Sequence, residues 1–85
     1  MKPIRLSRHA RENMVFRGAT EEEILEAIRQ AEWQPAEWGR FECRKEFAFG
    51  RDWNGRHYTV KQVRPVFVDE DEEVVVVTVY VYYVP

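Results

Sequence analysis

The chain has 85 residues, of which 45% are hydrophobic and 14% aromatic, enough apolar material for one modest core. Its formal net charge of −2 at pH 7 argues against a general polyanion-binding protein. The single cysteine, Cys43, excludes an internal disulfide. We therefore predict a single domain, residues 1–85.

Two helices are predicted near the start of the chain. Ser7 is a suitable N-cap for a first helix over 8–17, which the following glycine would end. Thr20 and Glu23 have the spacing of a capping box at the start of a second helix over 21–31. Because only two or three residues join these helices, we expect them to pack as a pair.

The next segment predicts a β-hairpin. Aromatic and charged residues alternate over 41–49, which is typical of a half-buried strand. The Asn-Gly dipeptide at 54–55 predicts a two-residue turn, since both central residues of such a turn need positive φ. That turn would place Phe47 opposite Gln62, unless a bulge at Gly50 shifts the register.

Two longer strands are expected after the turn, over about 57–68 and over 74–84. Pro65 indicates an edge position or a bulge in the first of them. The second is apolar on both faces, so it should be central or covered on both sides. Ile4 and Leu6 could add a short N-terminal strand. The predicted fold class is α+β, with two N-terminal helices packed on a three- to four-stranded antiparallel meander.

The charge is unevenly distributed along the chain. Five consecutive acidic residues occupy positions 69–73. Outside that run, 13 lysines and arginines stand against 10 acidic residues, a net charge of about +3. This balance is compatible with a surface that binds nucleic acid.

The sequence predicts a cytoplasmic protein without membrane contact. The first residues, 1–5, lack the apolar stretch of a secretory signal. The longest apolar run, over 74–84, is too short to cross a bilayer as a helix.

The first helix carries the main candidates for chemistry. His9, Asn13 and Arg17 stand four residues apart, so their side chains lie about 6 Å apart along one stripe. An imidazole exchanges protons near neutral pH and a guanidinium binds phosphate, so the stripe suits acid–base chemistry on a phosphate ester. In the structural alternative, His9 caps a strand carbonyl and Arg17 pairs with an acidic residue of the second helix.

A second basic cluster is predicted on the hairpin. Metal-free RNA cleavage needs a base for the 2′-hydroxyl, an acid for the leaving oxygen and cations around the phosphate, and the cluster contains residue types for all three. Acidic residues are interspersed, so cross-strand ion pairs explain the mixture equally well. The basic residues are Arg44, Lys45, Arg51, Arg56, His57, Lys61 and Arg64.

Several aromatic and hydroxyl side chains leave two interpretations open. Trp33, Trp38 and Trp53 could stack on exposed bases or cover the rim of the core. Thr78 and Tyr80 share one face of the last strand, where a buried threonine hydroxyl would need a partner. The acidic run is interpreted as a solvated turn, so no metal site is predicted, and no cofactor-binding motif is present.

The sequence resembles a family of small bacterial domains of unknown function. The opening pattern of that family is His-Ala-x-x-Arg-Met-x-x-Arg-Gly-Ile-Ser, and positions 9–20 here read His-Ala-Arg-Glu-Asn-Met-Val-Phe-Arg-Gly-Ala-Thr. Positions 77–80, Val-Thr-Val-Tyr, look like its closing strand, and positions 55–60, Gly-Arg-His-Tyr-Thr-Val, are similar to its middle strand. Asn13 stands where the family has arginine. The resemblance covers nearly the whole chain.

That family resembles in fold the RelE-like and barnase/colicin-like ribonuclease toxins. The resemblance therefore implies a RelE-like domain and a metal-independent endoribonuclease of the toxin–antitoxin type. His9 would act as acid or base and Arg17 as a phosphate clamp. Thr78 and Tyr80 would lie at the far wall of the cleft. The hypothesis assigns catalytic roles to His9, Arg17, Lys61 and Tyr80, and RNA binding to Arg44, Arg51, Arg56, His57 and Thr78.

Two functions remain open at this point. In the first, the protein cleaves RNA, and its partners are RNA and a neutralising antitoxin protein. In the second, it is a noncatalytic protein-interaction module that forms a homodimer or joins a partner sheet through its tyrosine-rich C-terminal strand. Asn13 and the negative net charge favour the second function.

Overall fold

The computed structural model describes all residues, 1–85, and contains two α-helices and six β-strands. In chain order these are β1 (Ile4–Leu6), α1 (Arg8–Arg17), α2 (Glu21–Gln30), β2 (Gln34–Pro35), β3 (Phe41–Glu42), β4 (Lys45–Trp53), β5 (Arg56–Asp69) and β6 (Val74–Val84). A short 3-10 turn, Glu37–Gly39, connects β2 to β3. Neither helix has the length and apolar character that crossing a membrane requires.

Both helices begin and end within one residue of their predicted limits. The Ser7 hydroxyl accepts a hydrogen bond from the backbone N–H of Ala10, and Gly18 ends α1 with φ of 86°. At α2, Thr20 and Glu23 exchange side-chain and backbone hydrogen bonds in both directions, which completes the capping box. The predicted helices and caps are confirmed.

The hairpin has the predicted turn and a bulge. Asn54 and Gly55 both have positive φ, 51° and 79°. A register shift around Gly50 then places Phe47 opposite Lys61 rather than opposite the next residue. The bulge therefore brings Lys61 onto the same face as Phe47.

The predicted three- to four-stranded antiparallel, RelE-like meander is wrong. The sheet has six strands in the order β1-β6-β5-β3-β2, with β4 also paired to β5, and it is mixed because β1 runs parallel to β6. The expected strand over 41–49 is interrupted after Glu42, which separates β3 from β4. Strands of two or three residues show no periodicity of their own. β1 and β3 form on the edges of the long strands β6 and β5, and β2 in turn pairs with β3.

The two helices cover one face of this sheet. A cluster of buried residues lies between the layers: Leu6, Ala10, Ala19, Ile24, Ala27, Ile28, Cys43, Val63, Phe67, Val74, Val76 and Val79. The alternate residues of the two long strands lie on the other side and are exposed or half-buried; they are Gln62, Arg64, Val66, Thr78, Tyr80 and Tyr82. We call this second side the open face.

Cys43 lies on the covered face, and its thiol provides a test of how completely that face is buried. Its side chain is 1% exposed, and burial, together with the neighbouring Glu42 carboxylate, raises the pKa of the thiol to about 12 from its ordinary value of 9.0. The thiol of the unfolded chain loses its proton at a lower pH than the buried thiol of the folded protein. The protonated thiol therefore adds to the free energy of unfolding below pH 9, and this contribution is lost as the pH rises towards 12.

We expect the free energy of unfolding to fall between pH 7 and pH 10 by about 1 kcal/mol more in the wild type than in Cys43→Ala. Urea denaturation at the two pH values measures the difference. A thiol reagent should leave the native protein unmodified at pH 8 and modify it fully in denaturant. Rapid modification of the native protein would contradict the buried position.

Candidate functional site

Helix α1 lies along the edge of β6 beyond the residues that pair with β1. The backbone N–H of Ser7 donates to the carbonyl of Val76 at 2.9 Å, and α1 then runs beside the second half of β6. The Thr78 hydroxyl donates to Asn13 Oδ1 at 2.5 Å, and Arg17 Nη1 donates to the Val79 carbonyl at 2.8 Å. These contacts hold the Asn13–Arg17 side of α1 against the open face.

Arginine and tyrosine side chains alternate across the open face. The Arg17 guanidinium lies 5.0 Å from the ring centre of Tyr80. The Arg64 guanidinium lies 4.7 Å from the ring centre of Tyr80 and 5.4 Å from that of Tyr82. We call Arg17, Tyr80, Arg64 and Tyr82 the arginine–tyrosine row. Guanidinium groups bind phosphate and aromatic rings stack on bases, so the row contains both groups that a single nucleic-acid strand requires.

A groove of about 340 Å³ borders this row. Its floor includes Glu42, Arg64 and Tyr80, and its outer wall is the turn that carries Trp38 and Arg40. Trp38 is expected from the sequence only as one of three tryptophans that could stack on bases, and Arg40 is not expected at a site, because nothing in the local pattern shows that their turn lies over the open face. The one available signal was the presence of three tryptophans in so short a chain.

His9 is exposed on the same helix, and its ring makes no hydrogen bond or ion pair. It lies eight residues before Arg17, which is about 12 Å along the helix axis. The structural alternative predicts that His9 contacts a strand carbonyl and that Arg17 forms an ion pair with an acidic residue of α2. The carbonyl contact is instead made by Arg17.

Lys61 lies on the opposite side of the sheet from the row. It is 2% exposed, and its Nζ donates to the Gly18 carbonyl at 2.9 Å and pairs with Glu23 Oε1 at 2.8 Å. The Tyr83 hydroxyl donates to the Arg17 carbonyl at 2.7 Å beside it. Lys61 therefore secures the junction between α1 and α2 and does not line the groove.

The remaining predicted RNA-binding residues are divided between two places. Arg44 lies near the groove, 3.8 Å from Glu42. The others lie near the tip of the β4–β5 hairpin, where His57 pairs with Asp52 at 3.2 Å and the Arg51 guanidinium covers a phenylalanine ring. Arg56 is exposed beside the turn. Of the assigned residues, the structure thus brings together Arg17, Thr78 and Tyr80, with Arg44 near them through Glu42.

The acidic run is tied to the N-terminal strand. Lys2 pairs with Asp69, and Arg5 donates to both carboxylate oxygens of Glu73. The hydrogen bond from Arg5 lowers the pKa of the Glu73 carboxyl. No group of three or more His, Cys, Asp or Glu side chains is placed to hold a metal ion.

Comparison of the chain with protein-family models, with curated proteins and with solved structures finds no match. The family resemblance of positions 9–20 therefore stays a prediction.

The buried Lys61–Glu23 pair can be tested directly. In Lys61→Met the Glu23 carboxylate keeps its half-buried position but loses its cationic partner, so we expect the free energy of unfolding to fall by about 3 kcal/mol. Lys2→Met removes the partner of an exposed carboxylate, Asp69, and should cost less than about 1 kcal/mol. Urea denaturation of both variants gives the comparison. Equal losses would show that Lys61 does not secure the helix junction.

Proposed function

We propose that this protein binds single-stranded RNA across the open face of its sheet and cleaves it by acid–base chemistry at His9. The arginine–tyrosine row is the observation that carries this proposal. It alternates phosphate-binding and base-stacking groups on a surface that no helix covers. The exposed imidazole on the helix that positions Arg17 supports the cleavage step.

The negative net charge does not oppose this interaction. The acidic run begins at the last residue of β5, Asp69, which lies five residues beyond Arg64, about 17 Å along the strand. Exposed charges at that distance are largely screened at physiological salt, where the Debye length is about 8 Å. Lys2 and Arg5 also pair with two of the carboxylates. Within the row Arg64 is paired with Glu42, so the local positive charge that the row offers to the RNA comes from Arg17.

We assign one role to each group in the proposed reaction. In the cleavage step, His9 accepts the proton of a 2′-hydroxyl while that oxygen attacks the adjacent phosphorus, and the 5′-oxygen leaves with a proton from water. Arg17 lies about 12 Å away along α1, so it binds a different phosphate of the same strand. Asn13, which replaces the arginine of the resembled family, holds α1 on β6 through Thr78. The products are a 2′,3′-cyclic phosphate and a 5′-hydroxyl.

The sequence resemblance of positions 9–20 to the bacterial domain family, and not the fold, extends the proposal to the cell. A cytoplasmic toxin would be neutralised by an antitoxin protein that covers the open face. Induced expression of the wild-type chain should then arrest bacterial growth, and expression of His9→Ala should not.

We expect the purified protein to cut a single-stranded RNA in the presence of EDTA, and we expect His9→Ala to be at least about 100-fold slower. The His9→Ala protein should bind a 2′-O-methyl RNA as tightly as the wild type, because the lost group is needed only for proton transfer. Gel analysis of labelled RNA measures cutting, and fluorescence anisotropy measures binding.

Arg17→Ala and Arg64→Ala should each weaken RNA binding by about tenfold, because each removes one guanidinium from the row. Arg29→Ala is the matched control, since Arg29 is an exposed arginine on α2 away from the open face. The binding proposal fails if all three variants bind RNA equally well. The cleavage proposal fails separately if His9→Ala cuts RNA at the wild-type rate.

Exposed side chains at the end of β6 favour a protein-interaction module as the second candidate. Tyr82 and Val84 are each 45% exposed. However, β6 is paired with β5 from Val74 to Val84, and on its other edge Arg17 already donates to the Val79 carbonyl. An added strand would therefore find only the last few residues of β6 free.

We expect sedimentation equilibrium to show a monomer at every concentration studied. A dimer that dissociates in a Tyr82→Arg variant would instead favour the second candidate. Val15→Arg is the matched control, since Val15 is an exposed apolar residue of α1.

A further inference from the structure

We propose that the groove beside the arginine–tyrosine row is a subsite for one unpaired nucleobase, with the Trp38 indole as its stacking surface. The proposal rests on the proposed function, since it assigns one part of the bound RNA to one part of the protein. The groove separates the turn that carries Trp38 from the floor formed by Arg64 and Tyr80. When an RNA strand lies along the row, a base that leaves the stack would enter the groove directly.

The backbone at Trp38 is the first observation. Its φ of 64° and ψ of 34° lie in the left-handed region, which is unfavourable for a bulky residue with a Cβ. Gly39 next to it has φ of 69°, which costs glycine little. The backbone N–H of Ala36 donates to the Arg40 carbonyl at 2.8 Å and closes the turn. The turn thus holds a tryptophan where glycine or asparagine would fit with less strain.

The exposure of the indole is the second observation. Trp38 is 85% exposed, whereas the other two tryptophans are packed. The Trp33 ring lies 4.8 Å from that of Phe67, and the Trp53 ring stacks on Tyr83 at 5.1 Å. Trp38 therefore gains little from burial within this chain. Strained residues cluster where a protein holds a ligand, and an unburied aromatic ring is the part that a base would contact.

The charge of the groove indicates which part of the RNA it accepts. Arg40 and Arg64 line it together with Glu37 and Glu42, so positive and negative charges are equal in number. Such a groove does not attract a phosphate, but it offers donors and acceptors to the polar edges of a base. A phosphate would bind beside Arg17 instead, where no carboxylate forms an ion pair with the guanidinium.

The Glu42–Arg64 pair keeps unused hydrogen-bonding capacity. Glu42 Oε2 lies 3.5 Å from Arg64 Nη1 and 3.8 Å from Arg44 Nη2, contacts that are too long to be strong hydrogen bonds. Glu42 Oε2 and Arg64 Nε are buried and have no hydrogen-bond partner. A small rotation of either side chain would turn these groups towards a base in the groove.

The test uses two fluorescein-labelled probes of equal length, a mixed-sequence 2′-O-methyl RNA and an oligonucleotide whose residues are abasic. We expect the wild type to bind the RNA more tightly than the abasic probe. Trp38→Ala should weaken RNA binding by about tenfold and leave abasic binding unchanged, because only the stacking contact is lost. Fluorescence anisotropy measures both affinities.

One further variant separates the effect of the indole ring from that of the backbone conformation, and a second variant is a control at another exposed aromatic residue. Trp38→Gly also lacks the indole but fits the left-handed conformation, so it should bind RNA as weakly as Trp38→Ala and unfold at no lower a urea concentration than the wild type. Phe16→Ala removes an aromatic ring that is 84% exposed on α1, outside the groove, and should change neither affinity.

Wild-type RNA affinity in both Trp38 variants would overturn the subsite. Equal wild-type affinity for the two probes would also overturn it, and would leave phosphate binding by the row intact. Failure of the wild type to bind either probe would overturn the proposed function, and the subsite with it.

Discussion

The junction between the two helices is held by side chains that rise from the sheet, and the geometry of the open face depends on it. Lys61 and Tyr83 donate to consecutive carbonyls, those of Gly18 and Arg17, and Lys61 also pairs with Glu23 of the capping box. A Cβ at Gly18 would collide with the Tyr83 hydroxyl, and its positive φ disfavours other residues. With the backbone of Arg17 held in this way, its guanidinium reaches around the edge of β6 to the opposite side of the sheet.

The two faces of the sheet differ in how much they bury. A chain of this length can bury only one face of a sheet under two short helices, so the second face stays in water. On the covered face, a charge such as Lys61 has to be paired, because burial without a partner is costly. On the open face, arginines and tyrosines contact each other through cation–π interactions that remain compatible with solvent. Those contacts order the side chains, which would lower the entropic cost of the proposed RNA binding.

Local features of the fold could be predicted and longer-range ones could not. The caps at Ser7 and Thr20 and the turn at 54–55 depend on residues within a few positions of each other, and all are found as predicted. A strand at Ile4 and Leu6 was expected, but the number and pairing of the strands were wrongly predicted, because the parallel pairing of β1 with β6 and the short strands β2 and β3 depend on partners elsewhere in the sheet. At the site, the stripe on α1 was visible in the sequence, but the groove was not. It forms where a turn near residue 38 meets β5 and β6, and a single sequence contains no sign of that meeting.

The sequence by itself determined the helices, their caps, the hairpin turn and the two long strands, because these rest on hydrogen bonds and apolar spacing between near neighbours. Tertiary structure decided which basic residues act together. Lys61 and Arg64 are three residues apart on β5, so strand alternation places them on opposite faces, but only the packing of the two helices decides that Lys61 is the buried one. The Arg17 guanidinium contacts the Tyr80 ring, and Asn13 accepts from Thr78, in each case across more than sixty residues of chain. Such pairings are fixed only when the core packs, because no local interaction favours one distant partner over another.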